Sequence, residues 1–347
     1  MATPTFVNQI QNDTLFGHPK GLFYLFFAEL WERFSFYGMR ALLTLYMVNV
    51  IFLELVERDF AAAAVYASYG SLVYASTVVG GRISDVILGF RKSIFLGGVL
   101  MALGHFVLAI ENDYAFFLAL GFIVIGNGFF KPNITSIISG MYKGNDEKKD
   151  GAYTIFYMGV NAGAFLGILL CGYIGEQVGW RWGFGLAGIF MLFGLLQFWL
   201  AQEIFGDIGT KPVINDVQNS IINEDEPKLN PFTNFQLSLI VIAGILGLSW
   251  MINDPVSKIS EGAYNLFNFS VLGIDGSNFA IISALVIFVM LLVIRIPKYD
   301  KITRDRMLAV IFFAFITIFF WALFEQAPGS LTIFARDYTQ RVLEGNT

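Results

Sequence analysis

Phe26-Phe27-Ala28-Glu29-Leu30-Trp31-Glu32-Arg33-Phe34-Ser35-Phe36-Tyr37-Gly38-Met39-Arg40 lies within an apolar stretch that runs from about residue 21 to 53. A helix needs about 20 mostly apolar residues to cross a bilayer, so the stretch is long enough to span one. It also carries two acids and two bases. An ionised side chain at mid-membrane costs about 2.5–3.5 kcal/mol on insertion scales, and four facing lipid would cost on the order of 10 kcal/mol. On a helix, positions 29, 32/33, 36/37 and 40 fall on one stripe. That stripe must face partners and a hydrated cavity inside a bundle of helices.

The rest of the chain supports a bundle of that kind. Of 347 residues, 56% are hydrophobic and 14% charged, whereas a soluble domain carries roughly 25% charged residues. Phenylalanine occurs 37 times, which suits a surface that faces lipid. The net charge of -5 is spread over short loops, and no basic patch points to nucleic acid. Cys171 is the single cysteine, so neither an intrachain disulfide nor a thiolate metal cluster can form. His18 and His105 are too few and too far apart to suggest a metal site. The first 20 residues are polar, with Asn8, Gln9, Gln11, Asn12 and Asp13, and read as a tail rather than a cleavable signal peptide.

Spanning segments are expected at roughly 21–53, 61–88, 93–111, 114–140, 153–175, 182–205, 233–252, 279–297 and 308–335. The fold class is therefore all-α, a polytopic membrane protein. Residues 1–20 form the tail, 21–205 a six-helix bundle and 206–232 a linker. The linker is polar and acidic, with Asn215, Asp216, Asn223, Glu224, Asp225 and Glu226. Basic residues orient such a bundle, because cytoplasmic loops are enriched in Lys and Arg. Arg91, Lys92, Lys143, Lys148 and Lys149 follow the second and fourth segments, and Lys298, Lys301, Arg304 and Arg306 precede the last. The alternate loops are acidic or short, with Glu54, Glu57, Arg58 and Asp59, then Glu111, Asn112 and Asp113. The N-terminus and the linker are thus expected in the cytoplasm.

Other polar groups sit within apolar segments. Lys131, followed by Pro132 and Asn133, lies in the fourth, Asn161 in the fifth, and Glu325 in the last. Tyr37 and Tyr74 can present hydroxyls to the same cavity. Such ions could pair only to fix helix register, but four on one helix exceed what a staple requires. A carboxylate beside an arginine can take up a proton and release its cationic partner. Gly159, Gly163 and Gly167 repeat at helical spacing, a stripe that lets two helix backbones approach closely. His105 reads as a hydrogen-bonded inter-helix group. Asn133-Ile134-Thr135 fits a glycosylation sequon but lies within a membrane segment. The sequence has no HExxH zinc motif and no Ser/His pair at plausible depth, so a membrane-embedded enzyme is disfavoured.

The loop Gly81-Arg82-Ile83-Ser84-Asp85-Val86-Ile87-Leu88-Gly89-Phe90-Arg91-Lys92 looks like the loop signature of the major facilitator superfamily, with Asp85 expected near a helix N-terminus and paired with Arg91. Glu29-Leu30-Trp31-Glu32-Arg33-Phe34 resembles the ExxERF motif of the proton-dependent oligopeptide transporters, a branch of that superfamily. Tyr153 to Gly163 is similar to their fifth-helix signature, and Phe320 to Gln326 to their seventh-helix FWxxFEQ. The resemblance, to bacterial members, runs from about Gly17 to Ala335. It implies the major facilitator fold, with residues 233–297 an inserted two-helix hairpin. Residues 298–347 would begin a C-terminal bundle whose remaining five helices lie beyond Thr347.

It also implies roles. Glu29, Glu32, Arg33 and Glu325 would couple protons, and Glu325 would pair with Arg40 when the outer mouth closes. Arg40, Lys131, Tyr37, Tyr74 and Asn161 would hold the substrate, with Arg40 and Lys131 on its carboxylate. Asp85, Arg91, Gly159, Gly163 and Gly167 would serve gating or packing. The implied activity is symport of di- and tripeptides with protons across the plasma (inner) membrane by alternating access. No cofactor is implied beyond the coupling proton, and the partners are small peptides and membrane lipids, the complete protein being a monomer. Phe36 stands where the family motif has the first of two tyrosines, which puts fine substrate preference in question. A carrier of another small zwitterion or anion, and a half-transporter that needs a partner chain, are the alternatives.

Overall fold

The structure, a computed structural model, describes residues 14–144, 146–210 and 231–340. Asn215, Asp216, Asn223, Glu224, Asp225 and Glu226 of the expected linker, and the tail before Thr14, lie outside the described residues. The chain is helical nearly throughout. Its helices are α1 (Lys20–Tyr46), α2 (Arg58–Ile83), α3 (Phe90–Leu108), α4 (Asp113–Met141), α5 (Asp146–Gln177), α6 (Trp180–Leu200), α7 (Asn234–Ile259), α8 (Gly276–Arg295), α9 (Lys301–Phe324) and the short α10 (Ser330–Tyr338). Among the described residues, α1 to α9 are the nine helices long and apolar enough to cross a membrane.

Local chemistry places the ends. Asn112 caps α4 by accepting from the amides of Tyr114 and Ala115, which satisfies donors that a helix start leaves open. Thr233 and Gln236 form a reciprocal capping box at the start of α7. α3 starts from Gly89 at φ 76°, a conformation that suits glycine. Two π-helical turns extend the helices, Met47–Ile51 after α1 and Ser84–Leu88 after α2.

The chain divides into two compact units, one of residues 1–46 and 69–222 and one of residues 47–68 and 223–347, with the division falling inside α2. In the first unit α1 packs on α5 along the glycine stripe. A Cβ at Gly159 would stand 2.9 Å from the Phe26 carbonyl oxygen, and at Gly163 and Gly167 it would overlap the Leu30 and Phe34 carbonyls. Gly97 and Gly126 give α3 and α4 the same close approach. Between these backbones Phe34, Phe116, Phe130, Phe156 and Phe184 are fully buried.

The second unit holds a helical hairpin, α7 and α8, tied at both ends. At one end two-residue strands β3 (Ser270–Val271) and β4 (Ile274–Asp275) pair antiparallel, Val271 opposite Ile274. Beside them Asn253 accepts from the Leu266 amide at 2.7 Å and donates to Asn265 at 3.1 Å. At the other end Arg295 donates to Gln236 Oε1 at 2.9 Å and to the Tyr299 hydroxyl at 2.8 Å, and stacks 3.7 Å from the Phe232 ring centroid. A second small ladder, β1 (Thr14–Leu15) with β2 (His18–Pro19), precedes α1.

The last segment differs from the expected 308–335. α9 stops at Phe324, Glu325 is its C-cap, and the chain turns before α10 starts at Ser330. Pro328 has no amide to continue a helical ladder and Gly329 follows it, so the apolar run contains a break that hydropathy does not register.

Candidate functional site

The charged stripe of α1 is buried as a unit. Glu29, Glu32 and Arg33 are 4%, 0% and 3% exposed. Arg33 Nε lies 2.9 Å from Glu29 Oε1, the i,i+4 approach that helical geometry provides. The same nitrogen is in direct ionic contact with Glu32 Oε2. One guanidinium thus serves two carboxylates. Glu29 Oε2, Glu32 Oε1 and Arg33 Nη2 are buried without a hydrogen-bond partner among the described residues. Two carboxylates against one guanidinium leave one negative charge, and burial makes an uncompensated charge expensive. A proton or a further cation settles that imbalance.

Lys131 supplies a cation from α4. Its charge acts on Glu29, Glu32, Arg33 and Arg40, and its Nζ sits 4.5 Å above the centre of the Tyr74 ring. Arg40, two turns after Arg33, is 7% exposed and lies against the rings of Phe36 and Tyr37 at 5.5 and 5.6 Å. Arg33 shares both rings, at 5.4 and 5.9 Å. Aromatic faces suit a guanidinium, since it is more weakly hydrated than an ammonium. Lys131 therefore links Arg40 to the Glu29–Glu32–Arg33 triad, with Tyr37 and Tyr74 beside them. Three cations against two carboxylates give this group one net positive charge.

The remaining residues stand elsewhere. Asn161 is exposed on α5, on the side opposite the glycine stripe that faces α1. Glu325 belongs to the second unit, where it accepts a 3.2 Å hydrogen bond from the buried hydroxyl of Tyr66. Asp85 lies in the π-helical turn after α2 and does not pair with Arg91, against expectation. Arg91 donates instead to the backbone, from Nε to the Ile208 oxygen at 2.7 Å and from Nη2 to the Gly206 oxygen. The chain after α6 folds back beneath α3, and its carbonyls reach the guanidinium where the carboxylate does not. His105 also departs from expectation. It is fully buried, and neither ring nitrogen has a hydrogen-bond partner among the described residues.

Sequence patterns missed three polar links. They are Tyr66 with Glu325, Arg336 with Asp59 at 3.2 Å, and Asn133 with Ser84 at 2.7 Å. The last accounts for the sequon-like Asn133, which also donates to the Phe129 carbonyl at 2.6 Å and is buried. Each link joins residues far apart in sequence, so spacing alone carries no trace of it.

The profile of the POT family, designated PTR2, matches residues 91–224. The chain is 33% identical over 340 residues to the peptide transporter YePEPT of Yersinia enterocolitica, covering 96% of this chain and 63% of that protein. It is 33% identical over 325 residues to a di-/tripeptide transporter of Lactococcus lactis, covering 92% of this chain and 61% of the relative. A crystal structure of the peptide transporter POT in complex with sulfate superposes with a TM-score of 0.72 at 32% identity, covering 98% of this chain and 66% of that one. The chain spans less than two thirds of the length of these curated relatives. Sequence and fold agree along nearly all of its described length: this multi-pass integral membrane protein is similar throughout to transporters of the POT family.

Proposed function

We propose that the chain forms part of a symporter that carries di- and tripeptides into the cell together with protons by alternating access, without chemically altering them. The observation that carries this reading is the single net positive charge of the Glu29–Glu32–Arg33–Arg40–Lys131 group, set beside aromatic rings. A peptide's one carboxylate matches that charge. Arg40 and Lys131 take the carboxylate, Tyr37 and Tyr74 line its path, and Asn161 meets the peptide from the exposed face of α5. Glu29, Glu32 and Arg33 take up the proton as a coupled unit. Protonation removes one carboxylate from the shared guanidinium and frees Arg33 to change partners.

Glu325 is the third proton-responsive carboxylate in this reading, and it exchanges Tyr66 for Arg40 as the outer mouth closes. Residues 21–205 act as one bundle and residues 298–347 begin the other, with 233–297 an inserted hairpin. In this reading the membrane is the plasma (inner) membrane, and the N-terminus and the segment after α6 lie in the cytoplasm, which the basic loops support. The complete protein works as a monomer, with the proton as coupling ion and no cofactor. Names of relatives support the cargo, since YePEPT is a peptide transporter and the Lactococcus protein a di-/tripeptide transporter.

Labelled dialanine uptake into proteoliposomes, with and without an inward proton gradient, tests the reading. The expected result is accumulation above equilibrium only with the gradient, and loss of accumulation with retained exchange in Glu32→Gln. Uptake indifferent to both the gradient and that substitution would overturn it. Phe36 favours one variation, in which the pocket, short of a hydroxyl, prefers a more apolar peptide side chain nearby.

A further inference from the structure

We propose that a groove on the first unit, between the start of α3 and the end of α6, binds an anionic phospholipid. The groove has a volume of about 560 Å³, within the range of about 300–1,000 Å³ usual for small-ligand sites. Its mouth is basic, formed by Arg91 and Lys92 at the first turn of α3. Its walls are apolar, with Phe95, Leu96 and Val99 on α3 and Trp199 on α6. Phe95, Leu96 and Trp199 are exposed. One ligand has this order of chemistry along its length, a phosphate above acyl chains.

The cations are arranged for a phosphate. Arg91 is immobilised by the Ile208 and Gly206 carbonyls and lies 5.7 Å from the centre of the Phe205 ring. Those bonds use Nε and Nη2, so Nη1 retains its donors, and a guanidinium held in place loses little entropy on binding. Asp207 offsets part of its charge. Lys92 is exposed and has no ion-pair partner among the described residues. Gln202 closes the groove beside Trp199, its amide nitrogen bonded to the Phe198 carbonyl.

Depth fits as well. α3 begins, α4 ends and α5 begins at one end of the unit, where Lys143, Lys148 and Lys149 add to Arg91 and Lys92. A leaflet rich in anionic lipid attracts such an end, and basic pockets between spanning helices select charged headgroups. Trp199 sits where an indole stabilises the interface, its body apolar and its N–H polar. The site involves none of the charged stripe of α1, so it stands whatever the cargo.

The test uses the full chain purified in detergent and examined by native mass spectrometry. It is titrated with dioleoyl phosphatidylglycerol, dioleoyl phosphatidylcholine or glycerol 3-phosphate. A diazirine-headgroup phosphatidylglycerol is photo-crosslinked in parallel. Expected are preferential retention of phosphatidylglycerol and crosslinks within Arg91–Val99 or Trp199–Gln202. Lys92→Gln should weaken that preference about fivefold, as one basic residue at an anionic surface implies. Trp199→Ala should weaken both lipids alike. Equal retention of the two lipids, a preference unchanged in Lys92→Gln, crosslinks confined to other segments, or glycerol 3-phosphate bound as tightly as the lipid would each overturn the proposal.

Discussion

Tyr66 donates a 3.2 Å hydrogen bond to Glu325 Oε2, joining the buried first third of α2 to the C-cap of α9. A hydrogen bond to a charged acceptor contributes about 1.5–3 kcal/mol, less where water competes. Glu325 is half-buried, so the lower end applies. A double-mutant cycle with Tyr66→Phe and Glu325→Ala, read as unfolding temperature in detergent, should give a coupling of about 1.5 kcal/mol. Other contacts of each residue cancel in the cycle. Strict additivity of the two substitutions would show that the bond carries no energy.

Gly163 and Gly172 lie on the same helix and should respond in opposite directions to alanine. A Cβ at Gly163 would overlap the Leu30 carbonyl and stand 3.1 Å from Arg33 Cβ, whereas one at Gly172 meets nothing within 4 Å. Gly163→Ala should therefore destabilise by about 1–3 kcal/mol, the usual range for overpacking. Gly172→Ala should stabilise by about 0.5–1 kcal/mol through helix propensity. Unfolding temperatures measured in one detergent decide the matter.

Much of this site was legible because membrane burial makes charge informative. Glu29 and Arg33 stand out within Phe26 to Arg40 since each is costly there, and helical spacing already puts them on one face. The glycine stripe at 159, 163 and 167 was equally readable, and its partner turned out to be the backbone of α1. What stayed hidden depends on which helices meet. Nothing in the spacing of Tyr66 and Glu325, 259 positions apart, signals a bond. Arg91 was misread for a related reason. Its expected partner Asp85 is near in sequence, while its actual acceptors, Gly206 and Ile208, are backbone groups more than a hundred residues on. The break after Phe324 was written in Pro328 and Gly329, but both were read as part of an apolar run.

The contact of Arg336 with Asp337 predicts a pH dependence at the far end of α9. Arg336 Nη2 lies 3.2 Å from Asp59 Oδ2, and Arg336 Nε lies 2.7 Å from Asp337 Oδ1. Hydrogen bonding from Arg336 holds the Asp337 carboxyl below its ordinary value. The bonds to Asp337 and Asp59 likewise raise the Arg336 guanidinium. A carboxyl depressed on folding stabilises fully above its unfolded pKa, near 3.8, and that contribution is lost as pH falls through the lower folded value. Amide exchange of Ser330–Tyr338, corrected for intrinsic rates, should be constant from neutral pH down to about 4 and accelerate below it. Both carboxylates are well exposed, so raised salt should loosen α10 in the same way at neutral pH. Protection that falls between pH 7 and 5 would place the control in another group.

Lys131 should discriminate carboxylate from amide at the substrate's end. Its Nζ is held 4.5 Å over the Tyr74 ring, and with Arg40 it turns the negative α1 triad into a group of one net positive charge. Lys131→Gln removes that surplus without removing the side chain's bulk, so the site becomes neutral overall. A charge-assisted hydrogen bond lost to the substrate carboxylate corresponds to about tenfold or more in binding. Dialanine should therefore show a KM raised about tenfold or more in Lys131→Gln. Alanyl-alaninamide, which has no carboxylate to lose, should compete against it almost as well as before. Tyr74→Leu, which removes the ring beneath the ammonium but leaves the charge, should have the smaller effect, since a partly desolvated cation–π contact contributes about 0.5–2 kcal/mol. If both ligands weaken equally in Lys131→Gln, the lysine supports the fold of the α1 cluster and does not touch the carboxylate.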